Sequence, residues 1–265
     1  MTPLDFEKRV DQRDAIRSHM DRIGRKILIM SGKGGVGKST VTVELAKQLA
    51  ALGQRVGILD TDLHGPNVAT LLGVDLASRF STAEDGSLTP VAVHENLTIA
   101  GVDSAMEDRT DAVIWRGPMK SKVINDLLAR VAWGERDFLL IDSPPGSGDE
   151  QITVCRGIPE LTGAIIVTTA HKMSILDAVR SITFCRKMGI AILGIVENMS
   201  RFACPQCGHD TQIFGSEEAR RMAGRVGAPF LGSIPIAAPG QFHEHVDQAF
   251  ATIARFLVQQ IACSQ

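Results

Sequence analysis

No stretch of this 265-residue chain approaches the ~18 consecutive apolar residues that a membrane-crossing helix needs. The opening residues, Thr2-Pro3-Leu4-Asp5-Phe6-Glu7-Lys8-Arg9, also lack the apolar core of a secretion signal. A soluble, cytoplasmic protein is therefore expected. Charge of one sign is missing too. The 28 Lys and Arg against 30 Asp and Glu leave a formal −2, which supplies no field to attract nucleic acid or an anionic membrane, so neither is expected as a partner. Cysteine is scarce. The five present, Cys155, Cys185, Cys204, Cys207 and Cys263, are odd in number and scattered, which argues against a structural disulfide framework. Only Cys204 and Cys207 are close enough in sequence to act together on a metal or as a redox dithiol. The others default to small buried hydrophobes.

What the chain does have is a globular composition, 44% apolar and 22% charged, and the length to bury a large core as one α/β domain. Its centre is Ser31-Gly32-Lys33-Gly34-Gly35-Val36-Gly37-Lys38-Ser39-Thr40. The run before it, Lys26-Ile27-Leu28-Ile29-Met30, reads as a buried strand of a parallel sheet. The run after it places Val41, Leu45, Leu49 and Leu52 at helical spacing. Glycines between the two let backbone N–H groups approach phosphate oxygens, and the helix N-terminus adds partial positive charge. Lys38 is then expected to reach the β and γ phosphates of ATP, and the Ser39 hydroxyl to ligate Mg²⁺. This is a Walker A loop, with Gly32, Lys33, Gly34, Gly35, Val36, Gly37, Lys38, Ser39 and Thr40 as the nucleotide contacts.

A second lysine, Lys33, gives the K-G-G-V-G-K-[ST] form, which resembles the deviant Walker A of the MinD, ParA and nitrogenase iron protein group. The resemblance implies a nucleotide-sandwich homodimer in which Lys33 reaches across to the partner's nucleotide. Arg55-Val56-Gly57-Ile58-Leu59 repeats the buried-strand pattern and delivers Asp60-Thr61-Asp62 to the strand ends where ligands collect in open α/β sheets. By resemblance to the same group, Asp60 is an outer Mg²⁺ contact and Asp62 positions the attacking water. Phe138-Leu139-Leu140-Ile141-Asp142 is a Walker B pattern, its carboxylate holding Mg²⁺ through water, and it runs into a Pro- and Gly-rich loop suited to sensing a γ-phosphate.

Further buried strands are expected at Leu97-Thr98-Ile99-Ala100-Gly101-Val102, Ala164-Ile165-Ile166-Val167-Thr168-Thr169, Ala191-Ile192-Leu193-Gly194-Ile195-Val196 and Phe230-Leu231-Gly232-Ser233-Ile234-Pro235. Residues 4–24 read as a charged helix packed on the body, and 73–95 as a surface excursion with weak strands. Ser174 is a candidate N-cap with Asp177 completing a capping box, and Ser216-Glu217-Glu218-Ala219-Arg220 reads as a capped helix start. The last helix, 246–262, has one basic residue, Arg255, which argues against a membrane-targeting tail. The fold class that follows is a doubly wound, mostly parallel seven-stranded sheet with helices on both faces. The expected division is a helical extension, 1–24, and a single P-loop ATPase domain, 25–265, with a C-x-x-C insertion at 204–207.

That insertion, Cys204-Pro205-Gln206-Cys207-Gly208, is a turn that points two sulfurs one way. Zinc, iron and dithiol exchange all use such a turn, and one pair supplies only two of the four ligands a tetrahedral site or cubane needs. Taken together with Gly32 to Thr40, Leu59 to Asn67, Trp115-Arg116-Gly117-Pro118-Met119, Ile141 to Asp149, Ile195 to Ser200 and Ile213-Phe214-Gly215, it makes the chain resemble the Mrp/ApbC family of iron-sulfur cluster carrier ATPases. The resemblance implies a homodimer that binds ATP, holds a [4Fe-4S] cluster between the Cys204 and Cys207 turns of two subunits, and passes it to apo iron-sulfur proteins or scaffold proteins under slow ATP hydrolysis. It also implies that Asn198 reads the adenine edge and that Pro235 contacts the nucleotide. The alternative is a MinD/ParA-like positioning ATPase whose C-x-x-C binds structural zinc or nothing.

Overall fold

A computed structural model describes residues 3–63, 65–74, 81–83, 86–101, 117–203, 209–215, 217–236 and 244–262. In chain order the elements are α1 (Pro3–Met20), β1 (Ile23–Met30), α2 (Lys38–Ala51), β2 (Val56–Asp60), α3 (Val68–Leu71), β3 (Ser81–Thr82), β4 (Leu88–Thr89), β5 (Val91–His94) and β6 (Leu97–Gly101). They continue with α4 (Gly117–Arg130), β7 (Arg136–Asp142), α5 (Asp149–Gly157), β8 (Gly163–Thr168), α6 (Lys172–Lys187), β9 (Ile192–Glu197), β10 (Phe202–Ala203), β11 (Asp210–Thr211), α7 (Glu218–Val226), β12 (Phe230–Ser233) and α8 (Glu244–Ala262).

Eight strands form the main sheet in the order β12-β9-β8-β1-β7-β2-β6-β5. All neighbours are parallel except β5, which pairs antiparallel with β6 at the edge. The parallel strands are those expected from the buried apolar runs; β5 comes from the segment read as a surface excursion. Strand β1 shows why the sheet is double-faced. Leu28 and Met30 enter one core with α1, α4, α5, α6 and α7, while Ile27 and Ile29 enter the other with α2 and α8. A parallel strand covered on both faces needs apolar residues at consecutive positions, as this one has.

Helix α1 seats Ile16 and Met20 in the first core, and its last carbonyl, Met20 O, accepts from the buried Lys26 ammonium at 3.2 Å. That contact closes the helix end. The strand then begins at Ile23, so β1 starts inside the segment counted by sequence as the extension. Two caps differ from expectation. Helix α6 is capped by His171, whose Nδ1 accepts from Met173 N at 3.2 Å; the helix begins at Lys172, so Ser174 lies within its first turn, where its Oγ accepts from Thr169 Oγ1 at 2.8 Å. Helix α7 begins after Glu217, which stands at φ 59° with no side-chain cap.

Candidate nucleotide site and cysteine hairpin

The loop between β1 and α2 leaves the carboxyl edge of the sheet and turns into the helix at Lys38. Gly37 sits at this boundary with φ 81°, a left-handed conformation that glycine adopts without strain. A Cβ there would lie 2.2 Å from Asn198 Nδ2. Gly32 is needed for a different reason: a Cβ would collide at 2.3 Å with the backbone of Asp177 in α6. The loop therefore rests on α6 at one side and on the end of β9 at the other.

Beneath it lies a buried ionic cluster. Lys38 Nζ is 2.8 Å from Asp142 Oδ2, and Ser39 Oγ donates to the same oxygen at 2.6 Å. Thr42 Oγ1, one turn further along α2, lies 2.8 Å from Asp142 Oδ1 and 3.0 Å from Lys38 O. With one proton for two acceptors, the charged oxygen is the stronger partner. Asp60 faces Asp142 in register across β2 and β7 and is equally buried. Its oxygens accept from the backbone of Asp62 at 3.0 Å and Val68 at 3.3 Å. Burial, and after it the charge of Asp142, pushes the Asp60 carboxyl well above the usual carboxylate range, with Lys38 pulling it partly back. Ser39, Asp60 and Asp142 thus bring hard oxygen donors together at the foot of the loop, a donor set that suits Mg²⁺.

Above the cluster is a cleft of about 330 Å³ lined by Ser31 and the loop from Lys33 to Thr40, with Asp62, Asn67, Thr70, Leu71 and Pro145 completing it. Asp62 Oδ1 accepts from Gly65 N at 3.3 Å. Lys33 is half-buried in the wall, and among the described residues no side chain pairs with its ammonium. The loop after β7 is fastened to the same region. Gly146 N donates to Ser31 O at 3.1 Å, Ser143 Oγ to Ile29 O at 2.8 Å, and Gln151 Nε2 to Pro144 O at 2.6 Å.

Neither Asn198 nor Pro235 lines this cleft. Asn198 stands behind the loop, one of its amide N–H groups donating to Val36 O at 2.9 Å. Pro235 is buried between Ile234 and Ile236, whose N–H groups donate to Glu197 O and Arg201 O, each at 2.7 Å. Cys204 and Cys207 lie outside the described residues, as do His64, Trp115, Arg116 and Cys263. The strands that bracket the two cysteines are described: Phe202 pairs with Thr211 and Ala203 with Asp210 in an antiparallel hairpin that grows from the end of β9. Of the remaining thiols, Cys185 is buried against Met30 Sδ at 3.3 Å and Cys155 is half-buried.

Sequence reading missed Thr42 and Gln151. Thr42 carried one signal, its place four residues after Lys38 on the same helix face. Gln151 carried none, because its partner is a backbone carbonyl.

A sheet of this order with a glycine loop running into α2 and a buried Lys–Asp pair defines a P-loop NTPase of the MinD type. The Pyrococcus furiosus cell division ATPase MinD matches it with a TM-score of 0.62 at 25% identity over 89% of this chain and 99% of that one. An Archaeoglobus fulgidus nucleotide-binding protein, solved in complex with ADP, matches with a TM-score of 0.74 at 34% identity over 91% and 92%. The profile described as NUBPL iron-transfer P-loop NTPase spans residues 22–260, and the chain belongs to that family. An iron-sulfur cluster carrier protein of Methanocaldococcus jannaschii is 46% identical over 233 residues, 88% of this chain and 80% of that protein. A cytosolic Fe-S cluster assembly factor of Drosophila grimshawi, a Nubp2 homolog, is 42% identical over 255 residues, 91% and 96% of the two chains. No helix among the described residues is long and apolar enough to cross a membrane.

Proposed function

We propose that this chain is an ATP-dependent iron-sulfur cluster carrier that works as a homodimer in the cytoplasm. The observation that carries the reading is the common origin of two chemistries. Strand β9 ends at Glu197, the next residue, Asn198, touches the phosphate loop, and the cysteine-bearing hairpin opens at Phe202.

In this reading ATP enters the cleft with its phosphates against the N–H groups of Gly34 to Ser39, and Lys38 exchanges Asp142 for the β and γ phosphates. Ser39, Asp60 and Asp142 would hold Mg²⁺, which would supply neutralisation of the phosphate charge. Asp62 orients the attacking water. Lys33 of each subunit adds a cation to the partner's γ-phosphoryl, as an arginine finger in trans does. The amide groups that Asn198 has left over, with Pro235, serve the adenine side. Lys33, with no side-chain partner among the described residues, supports a subunit interface here, and so do Met173, Leu176, Ile213 and Phe214, large apolar residues between 40% and 56% exposed. Asp177 packs α6 on Gly32, and His171 stacks edge-on to Phe214 at 6.4 Å, which sets Met173 and Leu176 between the phosphate loop and the hairpin. We count the segment ahead of β1, which begins at Ile23, as a helical extension of a single ATPase domain, with the C-x-x-C turn at 204–207 as its insertion.

The cargo is a [4Fe-4S] cluster shared by Cys204 and Cys207 of two subunits and passed to apo iron-sulfur proteins or scaffold proteins, with slow hydrolysis as the control. Anaerobic reconstitution with iron and sulfide tests this. Wild type is expected to take up iron, show cluster absorbance as a dimer and transfer the cluster to an apo-acceptor, and Cys204→Ala and Cys207→Ala are expected to lose all three. Equal iron uptake by the variants removes the carrier reading. Zinc retained with no response to ATP supports a MinD-like positioning ATPase instead, the second reading that the MinD fold favours.

A further inference from the structure

The amide of Asn198 is 7% exposed and engages one particular peptide unit. Val36 O, which accepts from it, and Gly37 N–H are opposite ends of a single planar trans peptide. In a phosphate loop the N–H end faces the anion, so Asn198 grips the far end of a group that must turn toward the triphosphate. Contact is tight, since a Cβ on Gly37 would lie 2.2 Å from Asn198 Nδ2. Asn198 cannot drift away from the loop, because its own N–H donates to Thr168 O at 2.7 Å.

From there the chain reaches the hairpin in a few residues, all of them fixed. Met199 has φ 55°, a left-handed conformation that a non-glycine residue holds only when its surroundings impose it. Ser200 donates to Ile234 O through both N and Oγ at 3.0 Å, and Arg201 O accepts from Ile236 N at 2.7 Å. Phe202 then begins the strand that pairs with Thr211. The Val36–Gly37 peptide is thus joined to the start of the hairpin through Asn198 and the three residues that follow it.

We propose that Asn198 is a positioning residue that ties the state of the phosphate loop to the cysteine-bearing hairpin, with the left-handed Met199 as the joint between them. The proposal deepens the carrier reading and rests on it, since it supplies the route by which ATP alters the grip of the two sulfurs.

The test uses metal-free full-length protein with and without a non-hydrolysable ATP analogue, at concentrations that saturate each variant by direct titration. Alkylation of Cys204 and Cys207 is followed by peptide mapping, and hydrogen exchange is followed at 202–203 and 210–211. Cys155 and Cys185, whose thiols burial pushes up to about 11 and about 12, serve as slow internal standards. In wild type the analogue is expected to change both readouts several-fold. In Asn198→Asp, which sets an acceptor where the donor stood, and in Met199→Gly, which keeps the amide and frees the joint, that response is expected to collapse at full nucleotide occupancy. A nucleotide response undiminished in either variant, or absent in wild type, overturns the proposal. Iron uptake by wild type is scored separately, so failure of the carrier reading is distinguishable from failure of the coupling.

Discussion

Lys38 holds Asp142 across 2.8 Å with both side chains almost wholly out of water. Asp60 adds a second buried carboxyl beside them, so the cluster has one ammonium for two acids. Removing one partner of a buried pair leaves an uncompensated charge, which costs about 3–5 kcal/mol, whereas removing both costs far less. Lys38→Ala is therefore expected to lower nucleotide-free stability sharply, and Lys38→Ala/Asp142→Asn to regain most of the loss. Urea unfolding of the four proteins in the cycle measures it, and additive effects would mean that the pair does not interact. Both variants are expected to lose ATP hydrolysis.

Lys33 and Asp62 give a test of trans action. If Lys33 serves the partner's site and Asp62 its own, Lys33→Ala and Asp62→Asn homodimers are each expected to fall by about 10²-fold or more in kcat. Re-associating them in equal amounts makes half of the dimers mixed, and each mixed dimer holds one intact site of two. Recovery to about one quarter of wild-type activity is expected. A mixture as slow as its components would place Lys33 in its own subunit's site or outside the chemistry.

Thr42 is a smaller but sharper probe, because its only described polar partners are Asp142 Oδ1 and Lys38 O. Thr42→Val keeps the shape and removes the donor. The Asp142 carboxylate then has one hydrogen bond fewer in a buried site, a loss of about 1–3 kcal/mol in stability. Thermal unfolding of the nucleotide-free protein is expected to show it, with a smaller deficit once Mg²⁺ and ATP are present to satisfy Asp142 differently.

These residues mark where sequence reading stops. The parallel strands were legible because each is a short apolar run between charged or glycine-rich turns, and the phosphate loop because its function needs a fixed local spacing. The weak strands expected within 73–95 are there, but the place of β5 in the main sheet was not legible, because Val91–His94 is four residues long and joins the sheet only by pairing antiparallel at the edge of β6. The cap on α6 differs for another reason: Ser174 has the right chemistry, but the helix begins two residues earlier, at Lys172, and His171 takes the role. In the site, Lys38, Asp60 and Asp142 could be named from their motifs, yet their apposition depends on β1, β2 and β7 lying side by side. The bond from Asn198 to Val36 joins positions 162 residues apart, and no local pattern encodes it.

Glu197 supplies the pH dependence that separates the hairpin root from the phosphate site. It is 3% exposed at the end of β9, and burial raises its carboxyl above the ordinary range, opposed by the Ala219 N–H and Arg220 and reinforced by Glu217 and Glu218. The folded protein thus keeps this proton to higher pH than the unfolded chain does. Stability contributed by the group is present below the unfolded carboxylate range and is lost as pH rises from there through the raised folded value. Glu197→Gln, which retains an acceptor for Ala219 and carries no charge, is expected to gain melting temperature over wild type at pH 8 and to gain less or nothing at pH 5. Calorimetric scans of both proteins at the two pH values decide it. A variant equally shifted at both would mean that the Glu197 carboxyl titrates alike in the folded and unfolded chains.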